Sequence, residues 1–340
     1  MKNKLFAGLV ALALTACGKS PKGDMQIYPT DDEVAKGADI SWVTEQEKAG
    51  IKFYDASGTS QDLYKILKSK GMNAIRLRVW VNPADGYCNA QDVLLKAQRA
   101  KDNGMDLMID FHYSDTWADP GKQTKPAAWK NYNFTDLKAA VYDHTFSVLT
   151  QLKNKGIKAK WVQIGNETNN GMLWEDGKAS VNMKNFAELI NEGYKAVKAV
   201  DTDSKVIVHL SNGYDNSLFR WMFDGLKANS AKWDVIGMSL YPSATDWEQK
   251  NTACLTNMQD MVSRYGSEIM ICEVGMPASE AQACQSFIKD LLSKVKSLPQ
   301  NKGLGVFYWE PQSYNSWKSY KLGAFDDTGK PSVALNAFMN

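Results

Sequence analysis

The sequence has little net charge. Its 340 residues carry 40 Lys and Arg against 38 Asp and Glu, a formal charge of +2. That near-balance excludes a broad electrostatic case for nucleic-acid binding. Five cysteines and three histidines show no CxxC pairing or ligand spacing, so a zinc site is not expected. No G-x-G-x-x-G follows the first candidate strand, which argues against a doubly wound sheet, and no cofactor is expected. There is no short-period repeat, and no linker after residue 35. After the N-terminus no apolar run approaches the length of a membrane span. Aromatic residues, by contrast, are abundant, with 11 Trp and 14 Tyr. Most are expected in the core, but indole faces also suit a sugar-binding cleft.

The N-terminus reads as an address. Lys2 and Lys4 precede an apolar run, Leu5 to Leu14, too short to span a bilayer and typical of a signal-peptide core. The run ends Leu14-Thr15-Ala16-Cys17-Gly18, which resembles a bacterial lipobox with Cys17 as the lipidated residue. Residues 1–17 are thus expected to be a lipoprotein signal, residues 18–34 a polar tether, and residues 35–340 one catalytic domain. The expected location is a bacterial outer membrane, on the cell surface or the periplasmic face, with Cys17 as the only membrane attachment. The other cysteines, Cys88, Cys254, Cys272 and Cys284, would meet an oxidising compartment that permits a disulfide, with no pairing singled out.

Candidate strands recur at Lys36–Ser41, Ala74–Trp80, Asp106–His112, Lys160–Gly165, Lys205–Ser211, Val235–Tyr241, Glu268–Val274 and Gly305–Trp309. Amphipathic segments lie between them. Asp62–Lys70 is closed by Gly71, Asp92–Asn103 by Gly104, and Phe134–Lys155 by Gly156, the usual C-terminal stop of a helix. Further helical stretches are expected near Met183–Val200, Asn216–Lys227, Thr245–Tyr265 and Glu280–Ser297. Eight strand–helix alternations point to an α/β fold of the (β/α)8 barrel type in a single domain. A doubly wound sheet is the alternative.

Barrel enzymes gather their chemistry at the C-terminal ends of the strands. Those ends carry Asp39, Arg78, His112, Asn166 with Glu167, His209, Tyr241, Glu273, and Trp309 with Glu310. Glu167 and Glu273 end the fourth and seventh strands, so the barrel would bring them to face each other across the mouth. Two facing carboxyls among aromatics suit glycoside hydrolysis, one as acid and the other as nucleophile or base. Arg78 is the expected cation beside the nucleophile. Asn166 is expected to donate to a sugar hydroxyl. Strand alternation would place Cys272 on the opposite face from Glu273, under the helices. Trp80, Trp117, Trp129 and Trp309 are candidate sugar platforms, Trp309 above all. Asp119 and Lys122 would bind hydroxyls or order the loop after the third strand. His144 is expected to be structural.

The longer strings sharpen this. They are Gly37-Ala38-Asp39-Ile40-Ser41, Arg76 to Pro83, Asp110 to Gln123, Lys125-Pro126-Ala127-Ala128-Trp129, Gln163-Ile164-Gly165-Asn166-Glu167 and Gly305 to Pro311. In family order from Lys36 to Phe338 they resemble glycoside hydrolase family 53 of clan A, the endo-β-1,4-galactanases. The Asp110–Gln123 string is the most specific. The resemblance implies a (β/α)8 barrel, retention of configuration, and the β-1,4-galactan side chains of pectic arabinogalactan as substrate. It also implies Glu167 as acid/base and Glu273 as nucleophile. A mannan-, xylan- or glucan-cleaving relative and a non-catalytic glycan-binding lipoprotein are the competing readings. Many bacterial members carry a long calcium-binding loop after the nucleophile strand; here Glu273 to Ser279 runs almost directly into a helix, so no metal is expected. The chain is expected to act as a monomer. Preference for galactan would need partners for an axial C4 oxygen, sought among Asp39, Asn82, Asp119 and Tyr241.

Overall fold

A computed structural model describes Met1 and residues 34–339; Cys17 and the tether lie outside the described residues. Eight strands alternate with helices in chain order. The strands are β1 (Ala35–Asp39), β2 (Ala74–Val79), β3 (Asp106–Phe111), β4 (Trp161–Ile164), β5 (Lys205–Leu210), β6 (Val235–Leu240), β7 (Glu268–Val274) and β8 (Gly303–Trp309). The helices are α1 (Val43–Lys48), α2 (Leu63–Ser69), α3 (Ala90–Asp102), α4 (Phe134–Asn154), α5 (Ala179–Val200), α6 (Asn216–Ala228), α7 (Trp247–Tyr265) and α8 (Ala281–Lys296). All strands pair in parallel with their sequence neighbours, and β8 returns to β1, closing the barrel. The doubly wound alternative is thereby excluded.

Local chemistry explains the helix limits. Asp62, Asn89 and Asn133 cap α2, α3 and α4 by accepting backbone N–H groups of the first turn. Gly266 ends α7 with φ 65°, a conformation that costs glycine least. Outward residues of the strands pack with the apolar faces of the helices in one large cluster that includes Ile75, Ile109, Ile190, Phe219, Ile271 and Leu291.

The barrel interior has two storeys. The lower is apolar, built from Ala35, Ala74, Met108, Trp161, Ile207, Val235, Met270, Cys272 and Phe307. The upper storey, one inward residue further along most strands, is polar: Asp39, Arg76, Asp110, Gln163, His209, Ser239 and Glu273, all buried. Cys272 therefore lies inside the barrel, not under the helices as alternation would place it. The reason is a bulge in β7. Met238 pairs with Ile271 and the next residue, Ser239, with Glu273, so Cys272 is the extra residue. Gly237 makes room for it; a Cβ there would stand 2.8 Å from the Cys272 sulfur. The bulge lets Cys272 and Glu273 share the interior face. Cys88, Cys254, Cys272 and Cys284 are all buried and free.

Candidate active site

Arg76 is the hub of the upper storey. Its guanidinium is wholly buried and donates to Asp39 at 2.8 Å and Asp110 at 2.8 Å, and pairs with Glu273 at 2.9 Å. It also reaches Asn166 Oδ1 at 2.9 Å and Gln163 Oε1 at 3.2 Å. A planar fork of donors can serve several carboxylates at once, which a lysine ammonium cannot do in one plane. Against the cost of burial, Arg76 and then His112 hold the Asp110 carboxyl below the usual carboxylate range.

Glu273 sits where β7 reaches the mouth. One carboxylate oxygen faces Arg76, and the other accepts from the Tyr241 hydroxyl at 2.8 Å. Burial pushes its pKa up to about 8, with Arg76 opposing and the charges of Glu167 and Asp110 adding. Glu167, half-buried just past β4, is raised too. Burial is the first cause; the Ser239 hydroxyl and Arg76 oppose it, while Asp119 and Asp110 reinforce it. The pair thus resists carrying two charges at once. Geometry decides the seat of the charge. Glu273 has a cation and a hydroxyl donor in contact; Glu167 has one hydroxyl.

The backbone at Glu167 is bent to present it. Glu167 has φ 44°, uncommon for a residue with a side chain, directly after Asn166 and Gly165 at φ 80°. The Glu167 N–H donates to His209 Nδ1 at 3.3 Å, and the Gln163 amide approaches the same nitrogen at 2.9 Å. With Nδ1 accepting, Nε2 donates to the Ser239 hydroxyl at 2.7 Å. That frees the Ser239 proton for Glu167. Burial and then the charge of Arg76 push the His209 pKa well down, so this imidazole stays neutral. His112 is fixed likewise: Nδ1 accepts from Trp80 Nε1 at 3.3 Å and the Ala118 N–H at 3.1 Å, leaving Nε2 to donate to Asp110 at 3.0 Å.

Above these groups opens a cleft of about 490 Å³ lined by Trp42, His112, Trp117, Asn166, Glu167, Tyr241, Glu273, Trp309 and a loop from Lys318 to Leu322. Four rings build one wall. Trp42 meets Trp309 at 5.1 Å and Trp117 at 5.8 Å, and Trp309 meets Tyr320 at 4.7 Å, all edge to face.

Six expected site residues lie elsewhere than the cleft surface. Arg78 does not touch Glu273. It points inward one step above Arg76, but Glu310 at 2.7 Å draws it toward β8. There its guanidinium lies 4.4 Å from the Trp117 ring, with Trp80 and Trp42 at 5.2 and 5.3 Å. The cation beside Glu273 is Arg76 instead. Asp39 is fully buried and committed to Arg76 and Ser41. Trp80 is buried behind Trp117, 5.2 Å ring to ring. Asn82 is exposed on the loop after β2, its N–H on Asp115. Asp119 turns back on Lys122 and Gly121, close enough to Glu167 to raise its pKa. Trp129 packs on Tyr113 and His144, away from the cleft. Arg76, Ser239, Trp42 and Tyr320 were missed. Arg76 shares its strand face with Arg78, so the Arg76-Leu77-Arg78 spacing could have pointed to either.

Among the described residues no group of three or more His, Cys, Asp or Glu could hold a metal ion. After β7 a short connection leads to α8, held to the β8 loop by the Ala278 N–H on Lys321 O at 3.0 Å.

The family model for glycosyl hydrolase family 53 matches residues 35–338. The chain belongs to glycosyl hydrolase family 53. A probable arabinogalactan endo-β-1,4-galactanase A of Neosartorya fischeri is 36% identical over 302 residues, 81% of this chain and 83% of the relative. A structure from work on two fungal β-1,4-galactanases superposes with a TM-score of 0.83 at 31% identity, covering 89% of this chain and 98% of that one. The family 53 catalytic domain of Ignisphaera aggregans gives 0.84 at 31% identity, covering 91% and 96%. The family 53 barrel therefore accounts for the whole described body of this glycosidase.

Proposed function

We propose that the protein is a retaining endo-β-1,4-galactanase acting on pectic galactan and arabinogalactan side chains. Glu167 is the acid/base and Glu273 the nucleophile. The observation that carries the roles is the unequal setting of two carboxyls at one mouth: Arg76 and Tyr241 both donate to Glu273, whereas Glu167 stands half-buried on a strained turn with a single hydroxyl partner. Protonated Glu167 gives its proton to the departing oxygen as Glu273 attacks the anomeric carbon. Glu167 then takes a proton from the water that releases the sugar from Glu273. The substrate reading rests on the relatives' names and on the tryptophan wall, which suits a polysaccharide. The partner of the axial C4 oxygen is sought at Tyr241, since Asp39 is buried and Asn82 and Asp119 lie off the cleft lining.

Reducing-sugar release should be large on potato galactan and slight on mannan and carboxymethylcellulose. Proton NMR should show the β-anomer forming first. Equal rates on all three polymers would remove the substrate assignment; first appearance of the α-anomer would remove the double displacement.

We further propose that the mature chain is a lipoprotein acylated at Cys17. The lipobox-like Leu14-Thr15-Ala16-Cys17 supports this. Mass spectrometry of membrane-extracted protein tests it. An unmodified Cys17 would refute it.

A further inference from the structure

Charge is unevenly divided between the two ends of the barrel. Seven segments run from the last turn of a helix to the first residue of the next strand, and together they form the N-terminal face. They hold sixteen Lys and Arg against six Asp and Glu. The rest of the chain from residue 34 holds twenty against twenty-eight. A net charge near zero for the whole molecule thus conceals a strongly basic face and an acidic remainder.

Helix dipoles explain part of this. Nine of the sixteen lie in a last helical turn, where cations offset the negative end of the helix. The other seven lie beyond it, among them Lys155, Lys158, Lys160, Lys205, Lys232 and Lys302, where that effect has faded. Five of the six carboxylates of the face already pair within it: Asp201 and Asp203 with Lys158, Asp106 with Lys160, Asp234 with Lys198 and Glu268 with Lys205. Lys68, Lys101, Lys153 and Lys302 donate to backbone carbonyls, acceptors that leave their charge uncompensated.

The chain enters the barrel on this same face, because β1 begins at Ala35 on the N-terminal side. Sixteen residues separate Cys17 from Val34, so a lipid at Cys17 holds this face within about 60 Å of a bilayer at full extension.

We propose that the N-terminal face of the barrel is a docking surface for an anionic phospholipid bilayer. The inference builds on acylation at Cys17. The lipid supplies attachment, and the lysine face supplies orientation. Headgroup phosphates attract the basic end and repel the acidic remainder, so the cleft at the opposite end faces away from the membrane, toward the polymer.

The test uses the full acylated chain on phosphatidylcholine vesicles with and without phosphatidylglycerol, with lysine labelling by a water-soluble amine reagent read by peptide mass spectrometry. On the anionic vesicles at low salt, labelling of Lys155, Lys158, Lys160 and Lys232 should fall at least about threefold, and high salt should restore it. Lys52, Lys122 and Lys321, at the cleft end, should label equally on both. In the triple variant Lys155→Glu, Lys158→Glu, Lys160→Glu, the remaining Lys232 should lose its protection while full activity on soluble galactan is kept. Equal labelling of the basic face on both vesicles overturns the proposal. If Cys17 proves to carry no lipid, sedimentation of the same chain with the two vesicle types decides: salt-sensitive binding to the anionic vesicles upholds the docking face, and absence of binding refutes it.

Discussion

The two storeys of the barrel interior are built on the same eight strands, a few ångströms apart, with opposite chemistry. The lower is filled by Phe307, Trp161, Met108 and small residues that keep water out. The upper holds one guanidinium among three carboxylates, with a histidine, a glutamine and a serine. Apolar packing tolerates approximate shape; a buried ionic network does not, because losing its shared cation leaves several carboxylates without compensation. The floor confers stability on the ceiling, and the ceiling carries the chemistry.

The largest effect should come from the ceiling. Glu273→Ala is expected to lower kcat by about four to six orders of magnitude, with azide or formate restoring part of it, and to leave the melting temperature nearly unchanged or raised. Ordinary turnover in this variant would remove Glu273 from the mechanism.

Two arginines on one strand sharpen the contrast. Arg76→Lys should lose most activity and destabilise the fold by about 3 kcal/mol, since one ammonium cannot serve Asp39, Asp110 and Glu273 together. Arg78→Lys should instead weaken substrate binding through the tryptophan wall that its guanidinium supports, raising KM by about tenfold or less with little change in kcat. Steady-state kinetics and thermal melts of both variants check this; equal kinetic profiles would show that the two arginines do not divide the work.

Breaking the floor should give the reverse pattern. Phe307→Ala is expected to cost about 3–5 kcal/mol of stability while kcat at a temperature where the variant is folded stays within about threefold. Denaturant titration beside an activity assay separates the two. A large loss of kcat without loss of stability would mean the storeys are not independent.

The smallest effect concerns pH. Asp119 raises the Glu167 pKa, and a raised pKa keeps the acid protonated to higher pH. Asp119→Asn should therefore move the alkaline limb of kcat/KM toward lower pH, by a few tenths of a unit for one partly solvated charge. An unmoved limb, or one displaced upward, would show that Asp119 does not act on Glu167.

Much of the site was legible because the alternation of strands and helices dictates a barrel, and a barrel collects strand ends. Glu167, Glu273, His112, Asn166, Tyr241, Trp117 and Trp309 meet at the cleft as those positions imply. Arg78 and Cys272 show where legibility stops. Arg76 and Arg78 share a face, and which one reaches Glu273 depends on Glu310, a residue 232 positions away that draws Arg78 aside. Cys272 and Glu273 share a face only because β7 bulges against β6, a register that belongs to two strands and not to one.

From the sequence alone came the element order, the helix stops at glycine, the paired glutamates and the family strings, because these depend on near neighbours and on periodicity. The tertiary structure decided the rest. It chose the guanidinium that faces Glu273, set the proton-bearing nitrogens of His209 and His112, assembled Trp42 and Tyr320 into the wall, and gathered seven scattered segments, four of them net basic, onto one face. Each is a contact among residues far apart in the chain, and Coulomb attraction, hydrogen bonding and ring packing act on distance in space, which only closure of the barrel supplies.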